Sequence, residues 1–472
     1  MRMDFDTTKI IAICIISIFI FASVSIYSEN MPSGSSDINV TVNGSTLWNG
    51  AWNTTVISLI SSNQDKNWQS LWNATVQSII DDNNLSSWNP IWNSTVSELI
   101  SNYLANYSWE SESSYTIFYD SSDSLYKAKN GGTGQIDYSS TNVTYICEQV
   151  RSSLTANRKW FETILLKGSF TLSGSILMDS WTILDLRQAE IILPVGATYP
   201  AIRNTNQTNG NTKMSVFGGE INGSRGEGNN NVNAKGIYIN NNGVDMEPSR
   251  VIEVFDTVIF NVYGNAFDIQ LNTGDSLNLE NTKCENRGGN DCTRIAYNLK
   301  AGDSQLTTID ANSYYENLVL EGGTFQIINS YFGGGGGSGS SNATVHFKGN
   351  VRGQMTNCLV DASYKHAILL ENSDWNHFVN VRVRGKDVLT ANNTWSVFRL
   401  VNSKNNIIEA CYGGRYDTVV TDFYKYGVEE TGTSDINMVV GSNFRDIGTI
   451  GIIVVGANTK VACSWNGTSW IS

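Results

Sequence analysis

The residues best suited to chemistry gather between Asp361 and Arg384. That window holds His366 and His377, two of the 3 histidines in 472 residues, with Lys365, Glu371, Asp374, Trp375, Arg382 and Arg384. Trp395, Tyr412 and Tyr416 follow and extend an aromatic platform. A guanidinium grips a carboxylate bidentately, and an indole offers a flat apolar face with a polar edge. Acid, imidazole, guanidinium and aromatic plane together suit an acidic or neutral sugar. Asp361, His366, Asp374, Trp375, His377, Arg382, Arg384 and Trp395 are therefore the candidate carbohydrate-binding set, expected to share one outward face. The competing reading is that Lys365 and the arginine pair offset nearby acids, and that each aromatic is packed or scattered on the surface.

No catalytic residue can be named on the same footing. Inverting hydrolysis needs two carboxyls across a sugar, and no spacing picks out such a pair. A calcium-dependent lyase needs clustered acids and an arginine base. Asp245, Glu247, Glu253, Asp256 and Asp268 with Arg250 are acid-rich, but solvated turn acids account for them equally well. No metal site is expected and no cofactor, calcium having no motif to support it. The run from Gly333 to Gly337 is followed by Ser338-Gly339-Ser340-Ser341, without the Lys-Ser/Thr and helix of a phosphate loop. It reads as a loop bulging from one coil.

The elements that must position these residues are short strands. From Phe161 onward, apolar-alternating runs recur between Gly and Asn: Ile183-Leu184-Asp185-Leu186, Ile191-Ile192-Leu193, Gly236-Ile237-Tyr238-Ile239. A longer unit then repeats loosely, as in Val251-Ile252-Glu253-Val254-Phe255-Asp256-Thr257-Val258 and Leu277-Asn278-Leu279-Glu280-Asn281-Thr282-Lys283-Cys284. Later copies pass through Asn329, Asn357 and Glu409. A strand, an Asn or Asp with a small residue, and another strand every ~23–30 residues predict a parallel β-helix. Each coil buries its aliphatics and pairs its backbone with the coils above and below. The body predicts ten to twelve coils, a rod of about 50 Å. A sandwich or propeller would favour two-residue Asn-Gly or Asp-Gly hairpins between paired runs, and few occur. The spacing of Ile146, Val150 and Leu154 predicts a helix just before the first coil, placed to plug it. Asn466-Gly467 predicts a closing hairpin.

On this evidence a resemblance can be stated. Tyr126-Lys127-Ala128-Lys129-Asn130-Gly131-Gly132-Thr133-Gly134-Gln135-Ile136-Asp137, then the helix, then Thr163-Ile164-Leu165-Leu166-Lys167-Gly168, resembles the start of right-handed parallel β-helix proteins of the pectin-lyase-like superfamily. The likeness is greatest to archaeal cell-surface versions and covers residues 115–472. It implies an all-β, right-handed parallel β-helix. It does not choose among lyase, hydrolase, adhesin and tailspike, because one fold hosts many functions. The Asn-Thr-Asp, Asp-Asp and Gly-His-Gly motifs of polygalacturonase-like hydrolases are missing. Gly218-Gly219-Glu220-Ile221-Asn222-Gly223 resembles a structural turn of those enzymes.

The remainder of the chain argues for export. Ile10 to Ile26 is nearly all apolar, with Arg2 and Lys9 before it and Glu29 and Asp37 after. Basic residues stay on the cytoplasmic side, so residues 10–27 read as a signal-anchor or a cleaved signal peptide, after a tail of residues 1–9. The body is then expected at the cell surface, or secreted if the segment is cleaved. After a linker (28–47), residues 48–105 carry three 20-residue repeats. Trp48, Trp68 and Trp88 share one phase, and Trp52-Asn53, Trp72-Asn73 and Trp92-Asn93 share another. Their apolar positions follow a helix face, so they predict three short amphipathic helices. Helices this short need a partner, which makes a stalk or homo-oligomer module of them. Segment 106–160 is the connector and cap helix, 161–460 the β-helix, and 461–472 the terminal hairpin. Glycosylation candidates are Asn53, Asn73, Asn93, Asn142, Asn222 and Asn342. Cys284 and Cys292 are the disulfide candidates, with small interior cysteines as the alternative. Asp+Glu exceed Lys+Arg, 44 against 31, for a net charge of −13. With no basic run, such a surface repels phosphate and argues against nucleic acid as partner. The expected partner is a polysaccharide or surface glycan, which the chain binds; the alternatives are a polysaccharide lyase or glycoside hydrolase, or a structural envelope component without ligand.

Overall fold

The computed structural model describes residues 41–42, 45–46 and 113–472, apart from 242–250, 273, 286, 288–293, 313–314, 335–341, 386–393, 416–423, 446, 448–449, 466–468 and 472. The chain divides into two units, Met1–Tyr103 and Leu104–Ser472. In the first, Thr41–Val42 pairs antiparallel with Ser45–Thr46. Segment 10–27, the Trp-Asn repeats and the sequons Asn53, Asn73 and Asn93 lie outside the described residues. Among the described residues, no helix is long and apolar enough to cross a membrane.

The second unit is a parallel β-solenoid. One coil runs through Val251–Phe255, Val258–Phe260 and Phe267–Gln270. These three strands pair in parallel with Ser276–Glu280, Lys283–Glu285 and Ile295–Lys300 of the next coil. The three stacks so formed are called faces A, B and C. Face B can be followed through twelve rungs, from the end of Glu162–Thr171 to Ser464–Trp465. At the ~4.8 Å strand spacing this makes a rod of about 50 Å, as the sequence predicts.

Alternation explains why these strands stack. On face A, Val254, Leu279, Leu306, Ile327, Met355, Phe378, Ile408 and Val439 align rung by rung and are all buried. Phe347, Phe378, Phe398 and Phe444 meet edge-to-face, with ring centroids 5.3, 5.4 and 6.2 Å apart. Each such ring buried contributes roughly 1.5–3 kcal/mol.

The corner between faces A and B is two residues long. Its first residue is left-handed: Asp256, Asn281, Thr308, Asn329, Asn357, Asn380, Ala410, Gly441 and Cys463 all have φ of 50–61°. Asn and Asp are the non-glycine residues that accept this region most readily, which is why the turn was readable. The interval varies: 308 to 329 is 21 residues and 410 to 441 is 31. Gly218 and Gly219 make the same corner earlier, and a Cβ on Gly219 would lie 2.5 Å from the Leu186 carbonyl oxygen.

Inside the corners, small polar side chains satisfy the backbone. The Cys411 N–H donates to Ser442 Oγ at 3.1 Å, and the Ser442 N–H donates to Ser464 Oγ at 3.3 Å. A second ladder stands where face C turns into face A: the Asn376 and Asn406 N–H groups donate to Asn406 and Asn437 Oδ1, each at 2.9 Å. These buried backbone N–H groups are tolerated because each is paired with the coil beyond it.

The ends differ from the middle. Tyr115–Asp120, Leu125–Asn130 and Ile136–Ser140 form an antiparallel meander, whose first strand lies parallel to Glu162–Thr171. The sequence expectation for residues 106–160, a connector and cap helix with residues 126–137 resembling a β-helix entry, does not include these three strands. Helix α1, Val143–Ser153, is capped by Asn142, whose side chain accepts from the Thr144 N–H at 3.0 Å. It sends Val143, Ile146, Cys147 and Val150 into the core. At the far end Ser464–Trp465 pairs antiparallel with Trp470–Ile471. Glu430 points inward and is buried, and it accepts from Asn437 Nδ2 (2.7 Å), Thr459 Oγ1 (2.8 Å) and the N–H groups of Val455 and Gly456 (3.1 and 3.2 Å).

Cys284 is a small interior residue of face B, with its Sγ 3.9 Å from the Ala296 carbonyl oxygen. Cys292 lies outside the described residues. Cys358 and Cys411 are likewise interior, and their thiols donate to the carbonyls of Thr356 and Glu409 at 3.2 and 3.3 Å. Burial pushes the Cys411 thiol up to about 12.

Candidate functional site

The eight sugar-binding candidates do not share a face. His377 stands on face A, with Asp374 and Trp375 in the turn leading into it. Asp361, Arg382 and Arg384 stand on face B. His366 opens a face C strand, and Trp395 directly precedes another. The expected single site is thereby corrected. A coil needs 21 to 38 residues, so a window of 24 residues travels around most or all of the perimeter.

Several of them have local duties. Arg384 Nη2 donates to Asp361 Oδ2 at 2.7 Å, with Tyr331 Oη 3.5 Å from the same oxygen. Arg382 lies over the Tyr412 ring at 5.5 Å. Asp374 Oδ1 accepts from the Lys404 N–H at 2.6 Å and so holds the turn. His377 Nε2 is 2.9 Å from Glu409 Oε2. Trp375 is the exception, with 62% of its surface exposed. Of the described sequons, Asn142 and Asn342 are exposed and Asn222 is half-buried.

The convergence that does exist is on face C. His346, Leu369, Arg399 and Glu429 form one outward column on four successive rungs. His346 is buried between two carboxylates: Nδ1 is 3.4 Å from Glu316 Oε1 and Nε2 is 3.3 Å from Glu371 Oε2. Two rungs on, Arg399 Nη1 is 3.1 Å from His366 Nε2. Glu429 Oε2 accepts from Ser396 Oγ at 2.5 Å and lies 3.9 Å from Arg399 Nε. The Trp395 ring meets His366 edge-on at 5.0 Å, and Lys365 Nζ lies 5.7 Å from the centre of that indole.

Burial, and next the Arg399 guanidinium, hold the His366 imidazole neutral, with its pKa pushed down to about 3. Its Nδ1 accepts the Ser396 N–H at 2.9 Å. The ring proton therefore sits on Nε2, where it faces another donor, the Arg399 guanidinium. An oxygen acceptor placed against both donors would satisfy them together. The His346 ring in turn spans Glu316 and Glu371 with its two nitrogens.

His346, Glu316, Arg399 and Glu429 were missed because no short window contains them. A usable signal exists. Face C strands end at left-handed Gly322, Gly349, Asn372, Asn402 and Gly432. Aligning the coils on those positions places Val319, His346, Leu369, Arg399 and Glu429 in one column, three residues back.

No family model and no curated protein matches the sequence. Solved structures similar to it include the Azotobacter vinelandii mannuronan C-5 epimerase AlgE6 A-module, at 13% identity and TM-score 0.43, over 69% of this chain and 95% of that one. The enzymatically active domain of bacteriophage CBA120 tailspike protein 2 is similar at 14% identity and TM-score 0.47, over 65% of this chain and 47% of that one. The DFA-IIIase of Arthrobacter chlorophenolicus A6 in complex with GF2 is similar at 13% identity and TM-score 0.43, over 68% and 89%. All three are pectin-lyase-like β-helix proteins. The fold of this chain rests on the parallel register of its own strands.

Proposed function

We propose that the chain is a surface-displayed polysaccharide-binding β-helix, of the kind found on archaeal cell surfaces, whose face C engages an acidic glycan. The observation that carries this reading is the outward convergence of imidazole, guanidinium and carboxylate groups on successive rungs, with the His366 and Arg399 donors turned toward each other. A sugar carboxylate supplies the acceptor they lack. Tethering and export rest on the apolar segment 10–27 and its basic flank. Oligomerisation rests on the Trp-Asn repeats, and glycosylation on the sequons. The body would then work in adhesion or recognition away from a membrane. The test is a glycan array of acidic and neutral polysaccharides probed with the full chain. Acidic glycans are expected to be retained, and Arg399→Gln to lose them. Silence across the array would sink the proposal.

A second reading, a polysaccharide lyase or glycoside hydrolase, is favoured by the placement of His346 between Glu316 and Glu371. An imidazole flanked by carboxylates can exchange protons with a substrate. Incubation with uronate polymers would then yield unsaturated ends or new reducing ends, and His346→Ala would abolish them. Unchanged polymer would leave binding alone.

A further inference from the structure

Face A presents a different chemistry. Its outward residues Gln305, Gln326, Gln354 and His377 follow one another on successive rungs. Beside them run Thr324 and Arg352, paired in register, with Trp375 in the equivalent place on the next coil. Between these two columns lies a shallow cavity of about 330 Å³, lined by Thr324, Gln326, Arg352, Gln354 and Trp375 around a floor of Phe325 and Gly353.

Two features of Trp375 are unfavourable for folding alone. The residue is 62% exposed, and its φ is 63°. The left-handed region is an outlier for a bulky residue, and strain of this sort concentrates at ligand sites. The equivalent positions of the next two coils are Asn405, φ 57°, and Ile436, φ 58°, so the left-handed turn recurs and the exposed indole is what sets Trp375 apart. The surrounding polar groups are also uncommitted. Among the described residues, the side chains of Gln326, Gln354 and Arg352 make no hydrogen bond or ion pair. The glutamines are thus not bonded to one another as an amide ladder.

We infer that face A carries a second saccharide site, taking an oligouronate laid along the rod with one sugar ring on Trp375 and a carboxylate on Arg352. The indole face suits the C–H face of a pyranose. The amides of Gln326 and Gln354 offer both donors and acceptors to hydroxyls. Among the described residues, Arg352 is the one charged side chain lining the cavity and no carboxylate lines it, which selects an anionic sugar. Each coil advances by about 4.8 Å, close to the length of one pyranose in an extended chain. Successive glutamines therefore meet successive sugars. The site shares with the proposed function only its class of ligand and does not depend on face C.

Calorimetric titration of the full chain separates the two. The probes are oligogalacturonate, oligomannuronate and oligoglucuronate tetramers, with cellotetraose as neutral control. Wild type is expected to take up two equivalents of a uronate tetramer. Trp375→Gly should take up one, having weakened the face A event at least tenfold or so, while its thermal midpoint stays equal or rises as the strain is released. Arg352→Gln should bring the face A affinity for uronate down to that for cellotetraose. Unchanged stoichiometry in Trp375→Gly overturns the inference and leaves face C standing. Loss in Trp375→Gly with none in Arg399→Gln supports face A and sinks face C. Silence of wild type toward all three uronates, or equal affinity for the neutral tetramer, overturns the oligouronate assignment.

Discussion

Faces A and C are built on the same coils, share one core, and around Trp375 and around Arg399 treat their polar groups in opposite ways. On face C, His346, Glu371, Arg399 and Glu429 face partners within 4 Å, and His346 and His366 are buried. On face A, Gln326, Gln354 and Arg352 lie exposed around an exposed indole. Register therefore sets where a side chain points, while the neighbours one coil away decide whether it is committed. A committed group is held in place but must be released or supplemented by a ligand. An uncommitted one is ready to bond but loses rotamer entropy on doing so.

The largest test of this contrast removes what both faces share. Phe378→Ala, at a buried ring beneath face A that touches Phe347 and Phe398, is expected to cost about 3–5 kcal/mol in denaturant unfolding. Binding on both faces should then fall together. If one face survives intact, the coils are not a common support.

A smaller effect belongs to face C alone. The unfolded His366 takes up a proton below pH ~6.5, whereas the folded imidazole stays neutral down to about 3. The unfolded state thus binds more protons in that interval, and stability falls as pH drops through it. His366→Gln should flatten this part of the stability–pH curve. Parallel curves for wild type and variant would show that the imidazole is not held neutral.

The finest discrimination compares single side chains. Glu371→Ala removes a partner of buried His346 and should lower stability by at most about 1 kcal/mol, since Glu371 is partly exposed. Gln354→Ala should stay within about 0.5 kcal/mol. A larger loss at Gln354 than at Glu371 would invert the contrast, and chemical denaturation measures both.

The solenoid itself was legible because its causes are local. Alternation in Val251-Ile252-Glu253-Val254 and the left-handed tolerance of Asn281, Asn329 and Asn357 act within a few residues. The site was not legible along the same axis. Residues from Asp361 to Arg384 are neighbours in sequence but spread over three faces, whereas His346 and Glu371 are 25 residues apart and in contact. Coil length varies from 21 to 38, so no fixed offset reveals the columns. Trp375 was singled out for its residue type, but its exposure follows from a turn geometry that composition does not carry. The meander at Tyr115–Ser140 was missed because its strands Leu125–Asn130 and Ile136–Ser140 are polar, and only one of their residues, Ala128, is buried.

The two-residue corner between faces A and B has an evolutionary consequence. Its backbone is nearly the same at Asn357, Asn380, Ala410 and Gly441, so these positions are interchangeable splice points. Excising Val381 to Ala410 would delete one complete circuit and rejoin like with like, shortening the protein without rotating what remains. Lineages could in this way adjust reach by recombination, independently of the surfaces they present.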